Sequence, residues 1–221
     1  MPYDSRRRQE AARRNRAAVL AACQELLFSD GFDATTIRGV AERAGVSPEL
    51  IYKTFGGKAG LMKALWDVTL AGDDDPAPMA RRHQLREVWE TAEPRLKLNR
   101  YAGFVRDVNE RITPLYSVLA RSGVEVASVL AVSEQERLIG VTAFVEHAAP
   151  LRSDAQSRAR CADACWVLTG PDVFIQLTSG RGWSGDAYQA WLAGMLATTL
   201  SYPPINPGAS LNPGAGRVPD A

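Results

Sequence analysis

The stretch from Gly31 to Leu65 constrains this chain more than any other. Two short amphipathic segments meet there at Gly45-Val46-Ser47. Thr35 and Thr36 are good helix N-caps, because a threonine hydroxyl satisfies a first-turn N–H group that has no partner inside the helix. The segment they open places Ile37, Val40, Ala41 and Ala44 at helical spacing on one face, and Gly45 stops it. Ser47 is the next natural N-cap. Pro48 follows at the first helical position, where its missing N–H is no loss. This second helix turns Leu50, Ile51 and Phe55 inward and ends at Gly56-Gly57. Two helices joined by so short a turn make a helix-turn-helix, in which the first positions the second and the second enters the major groove of DNA. The turn needs a glycine because the chain reverses there with a positive φ, and Val46 pins the corner to the small core.

The flanks complete a compact unit. From Arg13 to Ser29, Val19, Ala22, Cys23, Leu26 and Leu27 form one apolar helical face, and Gly31 stands where a glycine would end the helix. A further helix is predicted from Lys58 to about Leu70, with Leu61, Leu65 and Val68 on one side. Net charge over the 221 residues is only +1, so any attraction for nucleic acid must be local. It is local: Arg6, Arg7, Arg8, Arg13, Arg14 and Arg16 precede this unit against only Asp4 and Glu10. Taken alone, that run is a solvated basic tail or a DNA-binding arm.

Beyond the unit, Ala71 to Pro78 combines glycine, prolines and the acids Asp73, Asp74 and Asp75. Consecutive acids do not face one point, so the stretch reads as a solvated loop and not a cation site. Further helices are expected near 80–91, 94–111, 114–121, 124–147, 154–178 and 185–200, with Pro171 kinking or interrupting the long one. The last two are strongly apolar: Ala162, Cys165, Trp166, Thr169, Val173 and Leu177 form one stripe, and Tyr188, Trp191, Leu192, Met195, Leu196 and Leu200 another. Such stripes serve as an intersubunit seam or as core. After Tyr202, five prolines and three glycines leave little to pack, and 203–221 reads as disordered. The fold class is therefore all-α: a basic arm over 1–16, a helix-turn-helix unit with a connecting helix over 17–70, a helical-bundle domain over 71–202, and a tail.

Several function classes find no support. There is no G-x-S-x-G, no H-E-x-x-H, and His83 and His147 are isolated, so neither a nucleophile–base pair nor a metal cluster is visible. Cys161 and Cys165 lie four apart on a helix and read as small core thiols, and an odd count of three cysteines argues against a disulfide framework. Gly180 to Gly185 fits the letters G-x-G-x-x-G but joins two helices, whereas dinucleotide binding requires a preceding strand. No cofactor and no metal are expected. The opening residues lack a signal-peptide core, and no run approaches the ~18 apolar residues of a membrane span, so a cytoplasmic location with no membrane partner is expected.

With these residues in view, the chain resembles the TetR family of repressors. The resemblance is carried by Thr35-Thr36, by the Ala44-Gly45-Val46-Ser47 turn, by Tyr52 and Phe55, and by Lys58 followed three residues later by Leu61. It covers about residues 13–66. Beyond them it is one of architecture and of a weaker pattern, Gly182-Trp183-Ser184 followed by Tyr188 and Trp191. It implies a ligand-responsive regulator, released from double-stranded operator DNA by a small molecule and dimeric through the helices near 154–178 and 185–200.

The expected DNA-contacting set is Thr35, Thr36, Ser47, Pro48, Glu49, Tyr52, Lys53 and Lys58. Tyr52 sits one residue past the inward Ile51, so its hydroxyl can reach a phosphate. Lys58 opens a helix, where the helix dipole disfavours a cation, and this suggests an external anion. Glu49 either accepts from a cytosine amino group or repels phosphates and narrows the choice of site. The Arg6–Arg16 arm would reach over the backbone or into the minor groove. Candidates for an apolar or aromatic effector pocket are Trp89, Tyr101, Phe104, Tyr116, Phe144 and Trp166, each of which also suits plain core packing. The alternatives are a helix-turn-helix regulator answering to a protein partner and, in another class, a helical enzyme.

Overall fold

The computed structural model describes residues 3–75, 77–122, 124–149 and 155–201. Among them the chain is all-α, with ten helices, one 3-10 turn and no strand. The helices are α1 (Tyr3–Ala34), α2 (Ile37–Ala44), α3 (Pro48–Phe55), α4 (Lys58–Ala71), α5 (His83–Glu90), α6 (Pro94–Leu119), α7 (Val124–Ala148), α8 (Ala155–Leu168), α9 (Pro171–Arg181) and α10 (Gly185–Ser201). The 3-10 turn, Met79–Arg81, precedes α5.

The caps fall where the side chains dictate. The Thr36 hydroxyl accepts from the Gly39 N–H at 3.0 Å, and the Ser47 hydroxyl accepts from that of Leu50 at 3.3 Å. Gly45 closes α2 at φ 67 and ψ 33, a left-handed conformation that costs glycine little and other residues more. α1 runs through residues 3–16 without a break, so the stretch read as a separate basic arm is a helical extension. Its backbone departs from helix only at Gly31 (φ 81, ψ 177).

One expected break is absent, and the interruption expected at Pro171 is present. The segments read as 94–111 and 114–121 are one helix, α6, that passes through Pro114. Ile112, Leu115 and Leu119 continue its buried stripe across the proline, and this packing outweighs the lost backbone bond. The segment read as 154–178 is two helices. α8 ends at Leu168 and Pro171 opens α9 in the first-turn position that suits it. The tail from 203 onward lies outside the described residues.

Two apolar cores result, and α6 belongs to both. The first gathers Val19, Cys23 and Leu27 of α1, Val40 of α2, Ile51 of α3 and Leu61, Leu65 and Trp66 of α4 around Ile112, Leu115 and Leu119 of α6. The second gathers Val88 of α5, Tyr101 and Val105 of α6, Phe144 of α7, Cys165 of α8, Phe174 of α9 and Tyr188, Leu192 and Leu196 of α10. The helix-turn-helix unit is thus mounted on one end of the helix whose other end runs through the bundle. A shift along α6 in one core is felt in the other, because packed interiors transmit strain.

Candidate nucleic-acid interface

α3 presents a sharply two-sided surface. Ile51 is 0% exposed, while the next residue, Tyr52, is 57% exposed. Lys53 and Thr54 are exposed beside it. At the start of the helix Ser47 is exposed and Pro48 is half-buried. Glu49 is exposed, and its carboxyl is held below the usual carboxylate range first by its own backbone N–H and then by the Ser47 hydroxyl. The carboxylate therefore folds over the positive end of α3 and stays ionised. The outer face thus offers a phenol, an ammonium, hydroxyls and one anion to a groove floor.

Two of the expected contacts are placed differently. Thr35 is 1% exposed, and its hydroxyl donates to the Gly31 carbonyl at 2.7 Å, so it closes the end of α1. Thr36, one residue on, is the exposed one. The Lys58 amine turns inward: Nζ donates to the Phe32 carbonyl at 2.7 Å and lies 3.9 Å from the centroid of the Phe32 ring. This inward partner accounts for a cation at a helix start without an external anion. Around it, α4 begins at Gly57 with no side-chain cap, leaving first-turn N–H groups for another acceptor.

Sequence reasoning passed over one arginine here and misplaced another. Arg38 on α2 is 86% exposed and pairs with Glu42 at 3.2 Å. Nothing in the pattern singled it out. Arg16 is drawn in: its Nε lies 3.1 and 3.0 Å from the two carboxylate oxygens of Asp74, and its guanidinium carbon lies 5.2 Å from the Phe55 ring centroid. A signal for this existed, since Arg16 stands three and four residues before Val19 and Leu20 on the buried side of α1. The acidic loop is correspondingly less free than expected, because Asp73 pairs with Arg82 at 2.6 Å.

In the bundle, four of the six candidate effector residues come together and two do not. Tyr101 stacks on Phe144 with centroids 3.6 Å apart and planes 8° from parallel, and Phe104 and Trp89 adjoin them. Tyr116 instead lies beside Trp66 and donates to Asp172 at 2.9 Å, and Trp166 lies under the Arg137 guanidinium. Among the described residues no group of three or more His, Cys, Asp or Glu could hold a metal ion, and no helix is long and apolar enough to cross a membrane.

Fold and surface together define an all-α protein with an N-terminal helix-turn-helix and a C-terminal helical bundle. Residues 19–65 match the model of the bacterial regulatory proteins of the tetR family. Over 62 residues the chain is 39% identical to the HTH-type transcriptional regulator TtgR of Pseudomonas putida, covering 28% of this chain and 30% of that protein. Over 61 residues it is 41% identical to the uncharacterized HTH-type transcriptional regulator YdeS of Bacillus subtilis, with 28% and 30% covered. The chain thus spans about 30% of the length of these curated relatives.

Solved structures extend the likeness of fold over most of the chain. A crystal structure from Rhodococcus sp. matches with a TM-score of 0.62 at 21% identity, covering 85% of this chain and 99% of that one. The transcriptional regulator FadR of Bacillus subtilis, solved in complex with stearoyl-CoA, matches with a TM-score of 0.60 at 13% identity, with 84% and 97% covered. Over residues 19–65 the N-terminal unit is thus similar to the tetR family of bacterial regulatory proteins.

Proposed function

We propose that this chain is a transcriptional regulator that binds operator DNA as a homodimer and responds to a small molecule taken up by its helical bundle. The observation that carries the DNA-binding part is the two-sidedness of α3: Ile51 anchors it in the core while Tyr52 and Lys53 stand outward beside Ser47, Pro48 and Glu49. α3 enters the major groove, where Glu49 and Lys53 read bases and Tyr52 and Thr36 hold phosphates. The uncapped start of α4 receives a further phosphate. Lys58 acts by holding that start in place.

A second copy packs against α10, whose outward Ala187, Ala190 and Gly194 allow close approach of helices. The effector is apolar or aromatic and engages the cluster of Trp89, Tyr101, Phe104 and Phe144. The acyl chain bound by the structurally similar FadR makes a long-chain acyl-CoA a sensible first probe. The ligand shifts the dimer only by its differential affinity for the DNA-fitting and non-fitting conformers.

Selection of binding sites from a random duplex library tests this. The expected result is an inverted repeat whose half-sites lie about one helical turn apart, 34–36 Å, or a multiple of it. Recovery of no enriched sequence would contradict it. A rise in melting temperature with one member of a metabolite library supports a small-molecule effector.

A further inference from the structure

One of the six N-terminal arginines does not face outward as a phosphate contact would. Arg16 faces Asp74 with its Nε and covers the edge of α3 at Phe55 with its guanidinium face. A surface hollow of about 220 Å³ lies between α1 and α3 at this edge, lined by Val19, Leu50, Ile51 and Thr54 as well as by Arg16 and Phe55.

The other partner, Asp74, belongs to a loop that is bolted on its far side. Arg82 reaches Asp73 at 2.6 Å and the Asp75 carbonyl at 3.0 Å. Arg111 of α6 donates to the Leu70 carbonyl at 3.0 Å. Adjacent acids are therefore tied in opposite directions, Asp73 toward the bundle and Asp74 toward α1.

We propose that Arg16 is a positioning residue for the recognition helix, set by Asp74 of the loop after α4, and not a phosphate contact. The proposal rests on the DNA-binding function proposed above. Any displacement of the end of α4 moves Asp74, and through Arg16 changes the support under Phe55 and the outer face of α3. Two consequences separate this role from a direct one. A phosphate-bound arginine contributes to the salt dependence of binding, about 0.9 in the logarithmic slope per phosphate neutralised. An aspartate near DNA opposes binding, so its neutralisation by simple electrostatics tightens the complex.

Arg16→Gln, Asp74→Asn and the double variant of the full chain are compared with wild type. Operator affinity is read across a salt series on the selected site, and amide hydrogen exchange is read in the DNA-free protein. Each single variant is expected to weaken operator binding about fivefold, the scale of a partly exposed ion pair with a cation–π contact. The salt slope stays unchanged, the double variant is no worse than either single, and exchange over residues 48–55 quickens in both singles. A slope reduced by about one in Arg16→Gln, with Asp74→Asn binding as tightly as wild type or tighter, overturns the proposal. So does unchanged exchange over 48–55 in both variants. Absence of sequence-specific binding by wild type overturns the DNA-binding function instead, and the exchange measurement still decides the positioning role.

Discussion

The Lys58 amine at the start of α4 donates to the carbonyl of Phe32, 2.7 Å away and 26 residues earlier, and covers the Phe32 ring. The end of α1 is thereby tied to the beginning of α4, with the helix-turn-helix between them. Lys58→Met should cost about 2–4 kcal/mol of stability, the sum of one charge-assisted hydrogen bond and a cation–π contact. It should leave the salt slope of DNA binding unchanged, whereas Lys53→Ala, which removes a base-reading side chain, should relax discrimination between operator and mismatched DNA by about 1–3 kcal/mol. Urea unfolding and a salt series on Lys58→Met, and binding of Lys53→Ala to both DNAs, check this. A slope reduced in Lys58→Met would mean that its amine leaves Phe32 for a phosphate.

Gly60 is held to its identity by close approach. A Cβ built on it meets the Phe55 carbonyl oxygen at 1.8 Å, a backbone atom that cannot rotate away. Gly60→Ala must separate α3 from α4, and the expected destabilisation is about 1–3 kcal/mol or more. A urea midpoint equal to wild type would show that the two helices part without cost.

The Trp66 indole N–H of α4 donates to the Ser133 hydroxyl of α7 at 2.5 Å, and both side chains are buried. Ser133→Ala leaves the indole N–H without this acceptor and should cost about 1–3 kcal/mol. Because the bond joins the DNA-binding unit to the bundle, the loss should appear in the unfolding of both. Separate transitions, only one of them shifted, would contradict that.

Cys23 is 0% exposed, and burial pushes its thiol up to about 12, with nearby Lys58 opposing the shift weakly. At pH 8 it stays protonated, and the thiol form is a poor nucleophile. Peptide mapping after iodoacetamide treatment should find Cys23 unmodified in the folded protein and modified in urea. Rapid labelling without denaturant would place it in a far looser core.

Much of the DNA-binding unit was legible because its signals are local. Thr36, Gly45, Ser47 and Pro48 act within three or four residues of themselves, so spacing alone placed α2, the turn and α3. The unbroken α6 was not legible, because Pro114 is a strong local breaker and only the core around Ile112, Leu115 and Leu119 overrides it. The inward turns of Lys58 and Arg16 were hidden for a related reason. Their partners, Phe32, Asp74 and Phe55, lie 26 to 58 residues away in sequence and come near only once α1, α3 and α4 are packed. Tyr101 and Phe144 were both read as candidate pocket residues, but their stacking depends on the crossing of α6 and α7.

The most direct measurement is fluorescence anisotropy of the purified full chain with DNA from upstream of its own gene and with scrambled DNA, across a salt series. The proposed function predicts tight binding that persists near physiological salt on the upstream DNA only. Weak binding that vanishes equally on both DNAs as salt rises would contradict sequence-specific regulation at that site and leave only non-specific attraction.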